Sequence, residues 1–243
     1  MPITVVIVSD DKVGAQKTIE EVFNYFKYVE QTFSVYKDDS EISKINFGQL
    51  EIKNASADVR EIFELAEQTK IQTNGYFDIK NRKGLLDPSG IVKGWAIFNA
   101  SKIIEKNNFT NFYVNAGGDI QVGGYNEHDE KWSIGIENPF KQGEIVKTVY
   151  LTDCGIATSG TYIRGQHIYN PKDKEKMLNE VASLTVIGPN VYEADRFATP
   201  CFAMGLQGIN FVEEQNNLEG YIIDNKGEAT MTSGFEKYTN AKN

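Results

Sequence analysis

Apolar positions along the chain change period twice, and the changes divide it into a helical front half and a strand-rich back half. β-Branched residues crowd into 3–8, which predicts a buried strand. Over 12–32, Ile19, Val22, Phe23, Phe26 and Val29 recur at three-and-four spacing, the signature of an amphipathic helix. Asp38, Asp39 and Ser40 then supply a turn and a cap for a short helix over 41–46. Val59, Ile62, Phe63 and Ala66 mark one face of a helix over 57–73, which Asn74-Gly75 ends. A polar, turn-rich stretch covers 76–90, and helical spacing returns from 91 to 107.

Beyond that point the period becomes two. FYVNAGGDIQVGG, KWSIGIENP, KTVYLTD, GIATSGTYI and ASLTVIGP read as strands separated by Gly, Asn, Asp and Pro turns. One more helix is predicted from 191 to about 206, and YIIDNKGEATMTSGF closes as a hairpin around Asn-Lys-Gly. No repeat, low-complexity linker or domain boundary interrupts the pattern, so 1–243 is expected to form a single domain. The class is α+β, with helices bracketing a mainly antiparallel sheet.

A chain of 243 residues is long enough to bury a core without disulfides or a structural metal. Its formal charge of -9 argues against a nucleic-acid partner, because backbone binding needs clustered Lys and Arg. Cys154 and Cys201 are flanked by apolar or small residues and read as two buried free thiols, which suits a reducing compartment. No signal-peptide pattern opens the chain and no apolar run approaches the ~20 residues of a membrane span. A cytoplasmic protein without a transmembrane segment is expected, with export, its signal missing from this chain, as the alternative.

Four stretches carry residues suited to chemistry. NAGGDIQVGG places Gly117 and Gly118 before Asp119, allowing a sharp turn or close approach of a ligand; on spacing alone a β-bulge with Asp119 capping the turn is the plainer reading. DPSGIVKGWA puts Asp87 and Ser89 ahead of a helix with Lys93 nearby, either a phosphate site at a helix N-terminus or an ordinary capped helix. TSGTYIRGQHIYNP holds His167, one of only two histidines, whose unperturbed pKa suits a general base, although a lone histidine is more often structural than catalytic. His128, among turn residues, reads as solvated.

In EADRFATP, Asp195 and Thr199 are four residues apart on a predicted helix and share one face, a pair of hard oxygen donors for Mg2+. The plainer reading is a capped helix in which Asn190 and Glu193 form the cap and Asp195 is a first-turn acid. Pro200 cannot donate to the carbonyl of Arg196, so a kink or an early first turn is expected there.

Taken in order, FSVYKDDSEISKIN, DPSGIVKGWA, NAGGDIQVGG, WSIGIENP, IATSGTYIRGQHIYNP and SLTVIGPNVYEADRFAT resemble the ApbE family of FAD:protein FMN transferases. The resemblance spans most of the chain and implies a two-lobed, T-fold-like α+β architecture. It also implies Mg2+-dependent cleavage of FAD, with Mn2+ as the alternative metal: AMP leaves, and FMN passes through a phosphoester bond to a Ser or Thr of an acceptor flavoprotein carrying a flavinylation motif. By position, the resemblance makes Asp195, Thr199 and the main-chain carbonyl of Val92 the metal ligands. It turns Ser89 and Lys93 toward the pyrophosphate, lines the flavin pocket with Gly117, Gly118 and Asp119, stacks Tyr36 on adenine, and makes His167 the base for the acceptor hydroxyl.

Two departures stand out. Thr161 occupies a position where the family usually has Asp, and the segment before Asp87 is cut to KNRKGLL, which implies a more open adenine site. They keep a flavin-binding protein without catalysis in view, and the same site with water as acceptor would make the chain an FAD pyrophosphatase.

Overall fold

The computed structural model describes residues 1–160, 169–173 and 179–241. Its elements follow the order β1 (Ile3–Ile7), α1 (Lys12–Phe33), α2 (Glu41–Asn46), α3 (Ala57–Gln72), α4 (Ser89–Lys106), β2 (Phe112–Ala116), β3 (Asp119–Gly123), β4 (Trp132–Glu137), β5 (Ile145–Leu151), β6 (Gly155–Gly160), β7 (Val181–Gly188), α5 (Val191–Ala203), α6 (Gly208–Glu213), β8 (Glu219–Asp224) and β9 (Ala229–Met231). Helices α1, α2, α3 and α5 start where the sequence offers a side-chain acceptor to an unpaired first-turn N–H. Asp11 accepts from Gly14, Ser40 from Ser43, Ser56 from Val59 and Asn190 from Glu193.

Seven strands form one sheet in the order β1-β2-β3-β6-β7-β8-β9, every neighbouring pair antiparallel, and β4 and β5 pair as a separate hairpin. Side chains alternate across the sheet. Ile156 faces a layer in which the β4–β5 hairpin packs Trp132, Ile134, Ile136, Val149 and Leu151, while the adjacent Ala157 faces α5 and α6 through Phe197, Phe202 and Ile209. Helices α1, α3 and α4 cover the β1–β2 end, with Val22, Phe26, Ile62, Trp95 and Ile97 against Phe112 and Val114. The predicted α+β class with a mainly antiparallel sheet is therefore the observed one.

Two features differ from expectation. Helix α6 has no counterpart in the sequence reading, because its six residues are too few to display a helical period. Gly117 and Gly118 form a two-residue hairpin turn, not a bulge: both have positive φ, +64° and +97°, and Ala116 pairs with Asp119 across it. Cys154 and Cys201 are free and buried, as predicted, and burial pushes both thiols up, that of Cys154 to about 12. Among the described residues no helix is long and apolar enough to cross a membrane.

Candidate functional site

Where α4 meets α5, the two helices approach without side chains between them. A Cβ on Gly94 would lie 2.6 Å from the Asp195 Cβ and 2.8 Å from the Val191 carbonyl oxygen, and one on Gly90 would lie 3.8 Å from Thr199 Cγ2. Gly90 and Gly94 share one face of α4, as Asp195 and Thr199 share one face of α5, so the two four-residue steps run against each other. The close approach lets the Gly94 N–H donate to Asp195 Oδ2 at 2.7 Å.

Asp195 meets two more charges there. Lys93 Nζ lies 2.5 Å from Asp119 Oδ2 and 3.5 Å from Asp195 Oδ1, and the carboxylates of Asp119 and Asp195 are almost wholly buried, 1% and 3% exposed. Asp119, the first residue after the glycine turn, also accepts the Thr158 N–H through Oδ1 at 3.1 Å, which ties β3 to β6. Among the described residues, two buried carboxylates meet one ammonium. Burial pushes the Asp195 carboxyl up to about 7, opposed by Lys93 and reinforced by Asp119.

Hydroxyls complete the floor. Thr199 Oγ1 lies 3.3 Å from Ser159 Oγ, and Thr158 Oγ1 lies 2.8 Å from Thr185 Oγ1. Over this floor opens a cleft lined by Tyr76, Phe77 and Asp78 and by Tyr169 and Pro171, with Ser89, Gly90, Lys93 and Gly117 also lining it. Lys70 holds Asp78 in place at 2.9 Å. The donors gathered on the floor are all oxygens, buried carboxylates among them, and this set fits a hard divalent cation.

Second-layer residues explain the precision of the floor. Gln121 donates to the Val122 and Cys154 carbonyls and accepts the Val191 N–H at 2.8 Å, pinning the start of α5 to β3. Arg196, mostly buried, binds Glu193 at 2.7 Å and Gln72 at 2.6 Å, and its guanidinium lies 4.2 Å from the Phe197 ring centroid. It thereby fixes α5 to the end of α3, from which the Tyr76–Asp78 wall departs.

The structure thus brings Asp195, Thr199, Lys93, Asp119, Ser89 and Gly117 to one cleft. Gly118 completes the turn beside it, its N–H donating to Asn115 Oδ1. Val92 sends its side chain into the core, and its main chain directly precedes Lys93. Tyr36 is 94% exposed and is not among the residues lining the cleft. His167, with Thr161, Tyr162 and Arg164, lies outside the described residues. His128 is exposed on its turn, as expected.

The Asn190–Glu193 cap is formed, yet Pro200 does not interrupt the helix: α5 runs on to Ala203. Its missing N–H removes one ladder bond, while the buried Ala198, Cys201 and Phe202 hold the turn in place. The Lys93-centred pairing of Asp119 with Asp195 was not predicted. Its one trace in the sequence is polar residues at 119 and 121 of a strand whose five positions are all buried.

An antiparallel α+β fold whose glycine-faced helix crossing holds a buried acid–lysine–acid group under an open cleft defines a class of oxygen-donor, cation-compatible sites. Comparison with known proteins narrows this: the model of the ApbE family matches residues 1–83 and 79–222, and the chain belongs to that family. The FAD:protein FMN transferase of Haemophilus influenzae is 32% identical over 170 residues, 65% of this chain and 49% of that protein; the one from Vibrio cholerae is 29% identical over 165 residues, 64% and 48%. The chain spans about half the length of the curated relatives it matches. Among solved structures, the flavin transferase ApbE from Vibrio cholerae superposes with a TM-score of 0.84 at 21% identity, covering 97% of this chain and 95% of that one. The ApbE protein from Thermotoga maritima gives 0.85 at 22%, covering 97% and 96%, and both share this fold.

Proposed function

We propose that this chain is an FAD:protein FMN transferase, cleaving the FAD pyrophosphate, releasing AMP and joining FMN by a phosphoester bond to a Ser or Thr of an acceptor flavoprotein. Family membership and the names of the relatives support the reaction class. The observation that carries it to this site is the buried Asp195, beside Asp119 and Lys93 and sharing a helix face with Thr199.

Asp195, Thr199 and the Val92 carbonyl are the proposed ligands of Mg2+ or Mn2+. Mg2+ typically takes few protein ligands and completes its shell from phosphate and water. When bound, the ion neutralises charge building on the phosphate oxygens. Phosphoryl transfer needs mainly such neutralisation together with in-line positioning.

The chain's own residues do the rest. Asp119 holds the Lys93 ammonium at the floor, next to the proposed pyrophosphate position, and Ser89 offers a hydroxyl at the start of α4. Gly117 lets the β2–β3 turn approach the flavin closely, with Gly118 completing that turn. His167 is the proposed base that takes the acceptor proton, and the exposed ring of Tyr36 is the proposed adenine contact.

Incubation with FAD, Mg2+ and an acceptor carrying the flavinylation motif should give a fluorescent covalent adduct on a denaturing gel. Asp195→Ala should lower its formation by roughly a hundredfold or more, the loss of several kcal/mol of transition-state stabilisation. Full metal-dependent transfer by that variant would sink the assignment. AMP release at the same rate without acceptor would instead make the protein a pyrophosphatase, and tight FAD binding without turnover a carrier.

A further inference from the structure

Among the described residues the cleft mouth is basic, although the chain as a whole carries -9. The shortened segment before α4 turns tightly, Lys80 bridging to Leu86, and exposes Lys80, Arg82 and Lys83 around Asn81, itself a cleft-lining residue. Lys172, also exposed, joins them from the segment that holds Tyr169 and Pro171. Both segments are fastened through aromatic rings that line the cleft: the Arg82 guanidinium lies 4.8 Å from the Tyr169 ring centroid, and the Lys172 ammonium 4.6 Å from that of Tyr76. The Tyr169 hydroxyl donates to the Lys80 carbonyl at 2.9 Å, closing the two segments into one rim.

Acidic groups nearby do not cancel these charges. Asp78 is paired with Lys70 and also feels the Lys80 charge, and Asp87 accepts the Ser89 N–H. Asp173 follows Lys172 in the chain and is exposed. Among the described residues four rim cations therefore face two remaining carboxylates, and none of the four is joined in an ion pair.

From this geometry we propose that the rim of Lys80, Arg82, Lys83 and Lys172 docks an acidic segment of the acceptor protein, presenting its hydroxyl to the cleft. The inference rests on the transferase reading. In that reading the negative charge of FAD is concentrated on its pyrophosphate, at the floor with Lys93 and Asp195, so the exposed rim is left to the second substrate. That substrate enters through the mouth, and its chain lies across the rim. A surface of -9 repels acidic segments elsewhere, so the rim both attracts and places such a partner.

The test measures peptide binding separately from turnover. The FAD-loaded protein is titrated, by fluorescence anisotropy, into a fluorescein-labelled peptide with one Thr flanked by Asp and Glu, and into the same peptide with Asn and Gln in their place. The acidic peptide should bind roughly tenfold more tightly at low salt, and the gap should close as salt approaches about 1 M, where screening reaches ~3 Å. Lys80→Glu combined with Lys83→Glu should abolish the preference while leaving FAD affinity unchanged, and Lys172→Glu, on the other segment, should move it in the same direction.

Equal binding of the two peptides, or a preference that survives these variants, overturns the proposal. Loss of FAD affinity with an intact peptide preference overturns it too, by giving the rim to the dinucleotide. Absence of covalent transfer to either peptide counts against the transferase reading alone, because anisotropy still reports on the rim.

Discussion

Asp195 is a carboxylate that burial pushes toward its neutral form and that its neighbours recruit as an anion. Its pKa lies at about 7 where 3.8 is ordinary, so between those limits the folded protein binds a proton that the unfolded chain does not. Stability from this group is therefore fully present below its unfolded pKa and is lost as pH rises through about 7. Without divalent metal, the urea midpoint of the wild type should fall between pH 5 and about 7.5, and that of Asp195→Asn should fall less. Metal binding requires the ionised form, so Mg2+ affinity should rise over the same window. A wild-type profile parallel to that of the variant would show that the buried carboxyl is not what titrates.

At the scale of elements, the site depends on α4 and α5 touching at Gly94. Alanine is the better helix former by about 1 kcal/mol, so Gly94→Ala would stabilise an isolated α4. Here the added methyl meets the Val191 carbonyl at 2.8 Å and the Asp195 Cβ at 2.6 Å, both on a helix pinned by Gln121 and Arg196. Overpacking of that kind costs about 1–3 kcal/mol and outweighs the propensity gain. Equilibrium urea unfolding should show net destabilisation, together with weaker Mg2+-dependent FAD binding; a variant more stable than wild type would mean that the helices separate freely. The helices themselves were legible in the sequence, since apolar period and caps are local. Their crossing was legible only as glycines that permit it, because a glycine states that space is needed without stating what fills it. The pairing of Lys93 with both Asp119 and Asp195 was hidden for the same reason: three residues far apart in sequence leave no periodicity to read.

For the whole molecule, the floor of the cleft is where separately packed layers meet. Lys93 belongs to the α1–α3–α4 layer over β1 and β2, Asp119 and Thr158 to the central strands, and Asp195 and Thr199 to the α5–α6 layer. The sheet is continuous through all of them, from β1 at one edge to β9 at the other. A ligand seated between these layers binds only when all are in place, so its binding free energy is added to the unfolding of the entire chain. At about a hundred times its Kd it adds about 2.7 kcal/mol, which for a chain of this size raises Tm by roughly 5–10 °C. Calorimetry with FAD and Mg2+ together should show one transition moving as a unit, as expected of a single domain over 1–243, and Asp195→Ala should lose the Mg2+-dependent part of the shift. Two transitions, of which only one responds, would place the site within one layer and divide the chain into independently folding parts.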